Sequence, residues 1–579
     1  MHHAYTMAFL FLPGCLYGYS IGGIYGFSLL PDEFGYWFYA AAAAGYDWSE
    51  ILALNSYYSY GYSFILFPIF LLFQDGVAAY RAAVAVNFVL LAGIGLMLCC
   101  LAEGVFQGGE RQLLPPFAAA AAVYPPLVMY TKTTMTETLL AFLYVLFCLL
   151  LYQYLESGKI SKLPALLAVL VYIHFVHMRT VSMLAAGVLT VLTDRLLWAG
   201  GKERGGSKGR YLLYFTTTAA MLLLFVVGIM AKNGFLNWIY GGHSELAGKN
   251  DYFGQLNKIR YIMTWKGLGN LIVSVAGKTL YLGLATFGTA YWGLWHAWKA
   301  VVHKTATERK KQVFWCFILL SSAGALMVNA VYTAYPNRVD GLAYGRYYEY
   351  VFPVLMVAGF YEMWHTHRLW KGMFLTAGIE LCLFVPVLWS LHRYHQTKLH
   401  ACMVFGISYL YDAGDEPASF YLKACGFGLV LLGAVTVLVA VSRRKESRTQ
   451  IFFLVAVLEI VLMLRVSDAV TDANRIGAYR DTVIADRITE LMETADVGKV
   501  IYLDGGGDNA VEIMQFLLRD VPIKVLDKRE TLEDYEGDEM GRQDLVLMDY
   551  RDDFGDELGK RYEQALLSGH FILYYNVYK

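Results

Sequence analysis

Leu30-Pro31-Asp32-Glu33-Phe34-Gly35-Tyr36-Trp37 closes the first long apolar stretch of the chain, residues 7–30. A helix of that length crosses the ~30 Å hydrocarbon core of a bilayer. Two adjacent carboxylates at its end are costly to hold at a membrane surface, and such groups generally have a function there. The stretch runs directly into the acidic pair, so it reads as a retained helix and not as a cleavable leader.

The rest of the chain has the same character. It has 579 residues, of which 57% are hydrophobic and 16% charged, where a soluble domain carries about 25% charged residues. This excludes a soluble enzyme and a nucleic-acid-binding protein. The near-zero net charge conceals an asymmetry. Residues 468–579 hold 25 acidic and 13 basic side chains, so the preceding part is net basic and the two differ in kind. None of the eight cysteines has metal-ligand spacing; Cys99-Cys100 reads as a small apolar pair, and a Cys402–Cys425 bridge is disfavoured against free thiols.

Basic residues cluster in alternate connections: Lys159 with Lys162, Arg195 to Arg210, Lys299 to Lys311, Arg368 with Lys371, and Arg443 to Arg448. The positive-inside rule makes these connections cytoplasmic. About 13 transmembrane helices then fit, over 7–30, 78–103, 113–131, 137–155, 163–177, 180–198, 211–232, 275–298, 312–333, 347–363, 372–391, 418–441 and 450–467. The N-terminus falls inside. The acidic tail and the loops 31–77, 233–274, 334–346 and 392–417 fall outside. Residues 34–44 suit a helix lying in the interface, and Phe64–Phe73, short and carrying Pro68, suits a re-entrant segment.

The outer ends of these spans gather polar groups. Tyr57 and Tyr58 belong to a dense tyrosine run that reads equally as an aromatic belt or as a wall of a sugar or head-group cavity. Lys132 and Glu137 lie in one outer connection, and His177 and Arg179 in another. Arg338, Tyr344, Arg346 and Tyr347 lie in a third. Arginine and lysine at such positions suit an anionic phosphate, and nearby carboxylates suit a hydroxyl proton. The plain alternatives are interface anchors for Lys132 and Arg338, and a helix N-terminal acid for Glu137. His174 and His177 are better read as packed histidines than as a zinc pair.

Taken together, Asp32-Glu33, Thr134-Met135-Thr136-Glu137-Thr138, His177-Met178-Arg179 and Tyr344-Gly345-Arg346-Tyr347 resemble the motifs of type C membrane glycosyltransferases (GT-C). The likeness is greatest to bacterial relatives of protein O-mannosyltransferases and lipid A aminoarabinose transferases. It implies a polytopic α-helical membrane protein over residues 1–467, with a small extracytoplasmic α/β domain over 468–579. It further implies an inverting transferase of the plasma membrane. A sugar passes from a polyprenyl-phosphate donor to the hydroxyl of an extracytoplasmic glycan, lipid or protein. Asp32 is the implied general base, with Glu33 positioning the acceptor or exchanging roles with it. Arg346, Lys132 and Arg179 are the implied partners of the donor phosphate. No cofactor is required, and a divalent metal is compatible with the scheme. The alternatives are a transporter or flippase of lipid-linked glycans, and a surface-glycan polymerase or ligase.

Beyond residue 468 short apolar strands alternate with helices. Strands are expected at Lys499–Asp504, Ile523–Leu526, Leu545–Met548 and Phe571–Tyr575, with helices at Asn509–Leu518 and Glu557–Leu567. Gly505-Gly506-Gly507-Asp508-Asn509 lacks the dinucleotide spacing and is flanked by acids, so a tight turn with a helix cap is expected.

Overall fold

Backbone polar groups removed from water must pair within their own segment, and up to Thr494 the chain pairs them almost entirely in helices. The computed structural model describes residues 2–27, 30, 32–52, 54, 59–106, 111–198, 208–240, 255–302, 309–335, 338–392, 399–443, 448–505, 510–527, 535, 539–552 and 555–577. The first helices are α1 (His2–Ile21), α2 (Glu33–Ala43), α3 (Ser49–Leu52), α4 (Ser63–Leu72) and α5 (Gly76–Val105). There follow α6 (Leu114–Ala122), α7 (Pro125–Thr131), α8 (Glu137–Ser157), α9 (Leu163–Val176), α10 (Val181–Trp198) and α11 (Lys208–Tyr240). The helical part is completed by α12 (Leu256–Ile262), α13 (Trp265–Ala285), α14 (Thr289–Val302), α15 (Arg309–Tyr332), α16 (Phe352–His365), α17 (Leu369–Leu391), α18 (Pro417–Ser442) and α19 (Arg448–Thr494).

Many of these boundaries are written locally. Proline occupies the first turn of α6, α7, α9, α16 and α18, where its missing N–H is not needed. Asp75 caps α5 by accepting from the Ala78 amide at 2.6 Å. Gly158 ends α8 in the left-handed conformation.

The span count changes. Among the described residues, seven helices are long and apolar enough to cross a membrane: within α5, α8, α11, α13, α15, α17 and α18. Most of the remaining expected spans are shorter or interrupted, whereas 450–467 lies whole inside the longer α19. Residues 113–131 break at Tyr124-Pro125 into α6 and α7. The expected span 275–298 is two helices, α13 and α14, because Phe287 and Gly288 both take positive φ and a right-handed helix cannot pass through them. The span 347–363 begins with short 3₁₀ turns and leaves a 14-residue helix, α16. The expected outer loop 233–274 is largely helical, containing the end of α11, all of α12 and the start of α13. Its Gly241 to Asp251 stretch lies outside the described residues. The segment expected to lie in the interface is α2, and Phe34 to Ala41 are buried within the protein. All eight cysteines are free, Cys402 and Cys425 included.

Helix α19 is 47 residues long and continuous through position 468, where the composition changes. At 1.5 Å per residue it is about 70 Å long. It leads into a five-stranded sheet with strands β1 (Val500–Asp504), β2 (Ile523–Asp527), β3 (Leu545–Asp549), β4 (Gln564–Ser568) and β5 (Phe571–Tyr575) in the order β2-β1-β3-β5-β4. β1 is parallel to β2 and β3, with Val500 opposite Ile523 and Leu545, and β5 is antiparallel to β3 and β4. Helix α20 (Val511–Leu518) connects the first two strands and α21 (Gly555–Arg561) precedes β4. The helix expected over 557–567 therefore stops at Arg561, and its second half is β4. Residues 564–568 pair with β5, and that pairing outweighs a local helix preference.

The sheet unit is plugged into the first connection. Phe516 on α20 packs against Phe27, Trp37, Trp48 and Tyr80, with ring centroids 4.6–6.4 Å apart. Arg519, just after α20, has φ of 50°. Its guanidinium donates to the carbonyls of Phe70, Phe73 and Gln74 at the end of α4 and lies 3.8 Å from the Phe70 ring centre. The Trp48 indole in turn donates to the Arg519 carbonyl at 2.8 Å. Arg519 thus caps α4 from a residue more than 440 positions away.

Replacing Arg519 by alanine leaves three helix-end carbonyls without this donor and is expected to cost roughly 3 kcal/mol. Thermal unfolding of the purified protein reads the loss. In the sheet unit, His570 pairs with the buried Asp481 at 2.8 Å, and that hydrogen bond raises the imidazole above its ordinary range. A raised folded-state value means the stabilisation is complete below about pH 6.5 and is lost as pH rises through the higher folded value. Amide protection in β4 and β5, taken relative to the base-catalysed intrinsic rate, should therefore fall between about pH 6.5 and the point where His570 loses its proton, and His570→Ala should remove that fall.

Candidate functional site

Four charged side chains from four separate parts of the chain meet at one place. Glu137 begins α8, Arg179 sits in a 3₁₀ turn between α9 and α10, Arg346 sits in a 3₁₀ turn before α16, and Asp32 immediately precedes α2. Glu137 Oε1 accepts from Arg179 Nη2 and from Arg346 Nε, both at 2.9 Å. Arg346 Nη1 donates onward to Asp32 Oδ2 at 3.1 Å. Arg346, Glu137 and Arg179 are at most 4% exposed, whereas Asp32 keeps 32% of its side chain open. The arrangement is a buried ionic ladder with one accessible carboxylate at its end.

Local structure explains how Arg346 is aimed. Tyr344 has φ of 26°, and its carbonyl accepts from Asn329 Nδ2 at 2.6 Å. The next residue must be glycine: a Cβ at Gly345 would lie 2.2 Å from the Tyr281 ring. The turn then delivers Arg346 between the thioethers of Met403 and Met135, at 3.7 and 3.8 Å. Tyr347 lies under both guanidiniums, 4.6 Å from Arg179 and 5.9 Å from Arg346. Tyr344 packs edge-on to Tyr347 at 4.7 Å, and Arg338 lies over Tyr344 at 5.7 Å while paired through two bonds with the buried Asp340.

Glu33 behaves differently from its neighbour. Its carboxylate turns inward, where Oε2 accepts from the Tyr80 hydroxyl at 2.7 Å and from the Thr134 amide and hydroxyl at 2.6 Å. Trp37 donates to the same Thr134 hydroxyl at 2.9 Å. Burial pushes the Glu33 carboxyl up to about 7 in spite of those three hydrogen bonds. The adjacent pair therefore divides, Asp32 facing the crevice and Glu33 tying α2 to the turn before α8.

The other expected residues sort in the same way. His177 accepts the Arg179 amide on Nδ1 at 3.2 Å and lies 5.9 Å from the Tyr347 ring, so it shapes the turn that carries Arg179. Its neighbour His174 packs against Phe225. Lys132 donates to Ser467 on α19 at 3.0 Å, a hydroxyl that also receives Arg475. Tyr57 and Tyr58 lie outside the described residues. Among those residues no group of three or more His, Cys, Asp or Glu side chains is arranged to hold a metal ion.

Glu349 is legible in the sequence as one more polar group at the outer end of a span, but its partners beneath the ladder are not. Glu349, three residues from Arg346, accepts from Tyr130 at 2.6 Å, from Tyr124 at 3.3 Å and from Tyr281. The Tyr281 hydroxyl also receives the Gly406 amide at 2.9 Å. These partners lie up to 225 positions apart on apolar helices, and no spacing in the chain points to them.

No family model and no curated protein matches the chain. Solved structures do. ArnT from Cupriavidus metallidurans in the apo state aligns over 99% of this chain and 98% of its own, with 13% identity and a TM-score of 0.51. The same protein bound to undecaprenyl phosphate aligns over the same shares, with 14% identity and a TM-score of 0.49. The chain has the fold of ArnT. This is the GT-C architecture expected from the motifs, and at such identity the likeness is one of fold.

Glu33 and Glu137 are expected to respond differently to substitution. Glu33→Gln keeps an oxygen for Thr134 and Tyr80 and should retain the wild-type melting temperature, whereas Glu33→Ala strands those donors and should lower it. Glu137→Ala removes the carboxylate that Arg179 pairs with and leaves Arg346 with Asp32 alone, and should cost about 3–5 kcal/mol. Differential scanning fluorimetry in detergent checks all three.

Proposed function

We propose that this protein is an inverting membrane glycosyltransferase that moves a sugar from a polyprenyl-phosphate donor to an extracytoplasmic acceptor hydroxyl. The observation that carries the reading is the Asp32–Arg346 pair. It sets an accessible carboxylate 3.1 Å from a guanidinium whose position is locked by Glu137. A base and a phosphate partner are thereby held side by side, as a displacement at an anomeric carbon requires. The fold shared with ArnT is consistent with it.

In the proposed reaction Asp32 takes the proton of the acceptor hydroxyl. The oxygen attacks the anomeric carbon, the bond to the donor phosphate breaks, and the electron pair leaves with the phosphate. Arg346, supported by Arg179, receives the charge that grows on that group. Glu137 keeps both guanidiniums in place, and Glu33 fixes α2 so that Asp32 points outward. Lys132 acts through α19 in this reading. In this reading the Asp32 end of the helices and residues 468–579 lie on the outer side of the plasma membrane and the N-terminus is cytoplasmic, which the alternating basic connections support.

The test is turnover of a panel of polyprenyl-phosphate sugars by the purified protein, read as release of polyprenyl phosphate. That product separates a transferase from a flippase, which moves the donor intact. Asp32→Asn should lower kcat about 10²–10⁴-fold with an unchanged melting temperature, and Glu33→Gln should stay within a few-fold of wild type. Full turnover by Asp32→Asn would remove the proposal.

A further inference from the structure

Arg346 stands in a segment that no regular helix holds up. Between α15 and α16 the chain runs through short 3₁₀ turns, in which the amides of Gly341, Leu342 and Tyr344 bond to the carbonyls of Arg338, Val339 and Asp340. Other buried carbonyls of the segment need donors from outside it. Three neighbouring helices supply them. Tyr421 on α18 donates to the Val339 carbonyl at 3.1 Å, Asn329 on α15 to that of Tyr344 at 2.6 Å, and Lys278 on α13 to that of Gly341 at 2.8 Å.

Lys278 is the unusual donor of the three. It lies within an apolar helix of bilayer length and is fully buried. Among the described residues no carboxylate is bonded to it, and Asp340, whose charge reaches it, is paired with Arg338. An ammonium in such surroundings is costly, and groups of this kind are generally kept for a function. Its other close bond goes to Ser274, one helical turn back, at 2.9 Å, with the Leu342 carbonyl 3.5 Å away. Ser274 donates in turn to the Ala330 carbonyl of α15 at 3.0 Å.

The same part of α13 meets the turn at further points. A Cβ on Gly277 would lie 2.3 Å from the Leu342 carbonyl oxygen, so only glycine lets the helix come this close. The Lys278 carbonyl accepts from the Tyr348 hydroxyl at 2.5 Å. Lys278 therefore grips the chain through its side chain before Arg346, at Gly341, and through its backbone after Arg346, at Tyr348.

We propose that Lys278 is a positioning residue for Arg346. By tying the Gly341 carbonyl to α13 it fixes the turn from which the guanidinium reaches Glu137 and Asp32. Its effect on turnover rests on the glycosyltransferase reading above, whereas its hold on the turn rests on the hydrogen bonds alone.

Two measurements on the full-length protein in nanodiscs test the assignment. Hydrogen exchange read by mass spectrometry reports on the turn. Lys278→Met, which keeps the length and removes the donors, should speed exchange over residues 339–348 about tenfold and leave α5 and α8 unchanged. Lys278→Arg returns a cationic donor and should bring the rate back to within a few-fold. Unchanged exchange in a folded Lys278→Met, or equal quickening throughout the helical body, would overturn the proposal. Lys278→Gln provides a second neutral variant should the methionine protein not fold. Release of polyprenyl phosphate reports on the reaction. Lys278→Met should lower kcat about tenfold or more with little change in the KM of the lipid donor. That loss should largely vanish in an Arg346→Lys background, because a residue that acts through Arg346 then has nothing left to position. Losses that multiply in the double variant would mark a general effect on the fold and count against the proposal. Full turnover by Asp32→Asn together with Lys278-dependent exchange would sink the catalytic reading and leave the hold on the Arg346 turn standing.

Discussion

The Glu137 carboxylate receives one guanidinium from each of two distant turns, and the geometry of the whole site follows from that shared oxygen. It offsets the cost of burying both arginines, since an unpaired guanidinium away from water costs several kcal/mol. With it, Arg346 is held rigidly enough to meet Asp32 at 3.1 Å. The ladder also creates a gradient of exposure, from fully buried at Glu137 to open at Asp32. Only the open end leaves a carboxylate within reach of solvent.

That open end depends on the sheet unit. Asp32 immediately precedes α2, and α2 is gripped from two sides. Inside the helical body Glu33 and Trp37 hold Thr134. From the sheet side Phe516 packs against Trp37, and Arg519 caps α4. The small C-terminal unit thus clamps the segment that carries Asp32, so loosening α20 should be felt there.

Much of this plan was visible in the chain. Apolar runs of bilayer length, alternating basic connections and proline at helix starts are local signals, and they announced a helical membrane protein with an α/β tail. The Asp32-Glu33 pair and the Gly-Arg-Tyr turn, both legible in the sequence, come together in space through the Asp32–Arg346 contact. Helix continuity was harder to read. The break at Phe287-Gly288 and the short α16 come from packing and positive φ, which composition does not encode, and so among the described residues seven full-length apolar helices stand where hydropathy suggests about 13 spans. The 557–567 helix failed for a related reason, since strand pairing with β5 overrode the local preference.

The chain by itself determined the class of protein, the outline of its two parts and the residue types available for chemistry. Hydropathy and charge are summed along the sequence, and they need no fold to act. Only the tertiary structure decided which member of each pair does what. Asp32 faces the crevice while Glu33 is buried, Lys132 is engaged by α19, and Lys278 is bonded to a carbonyl of the turn before Arg346. Those outcomes depend on partners up to several hundred residues away. Burial and hydrogen bonding are set by whatever arrives in space beside a side chain, not by its neighbours in sequence.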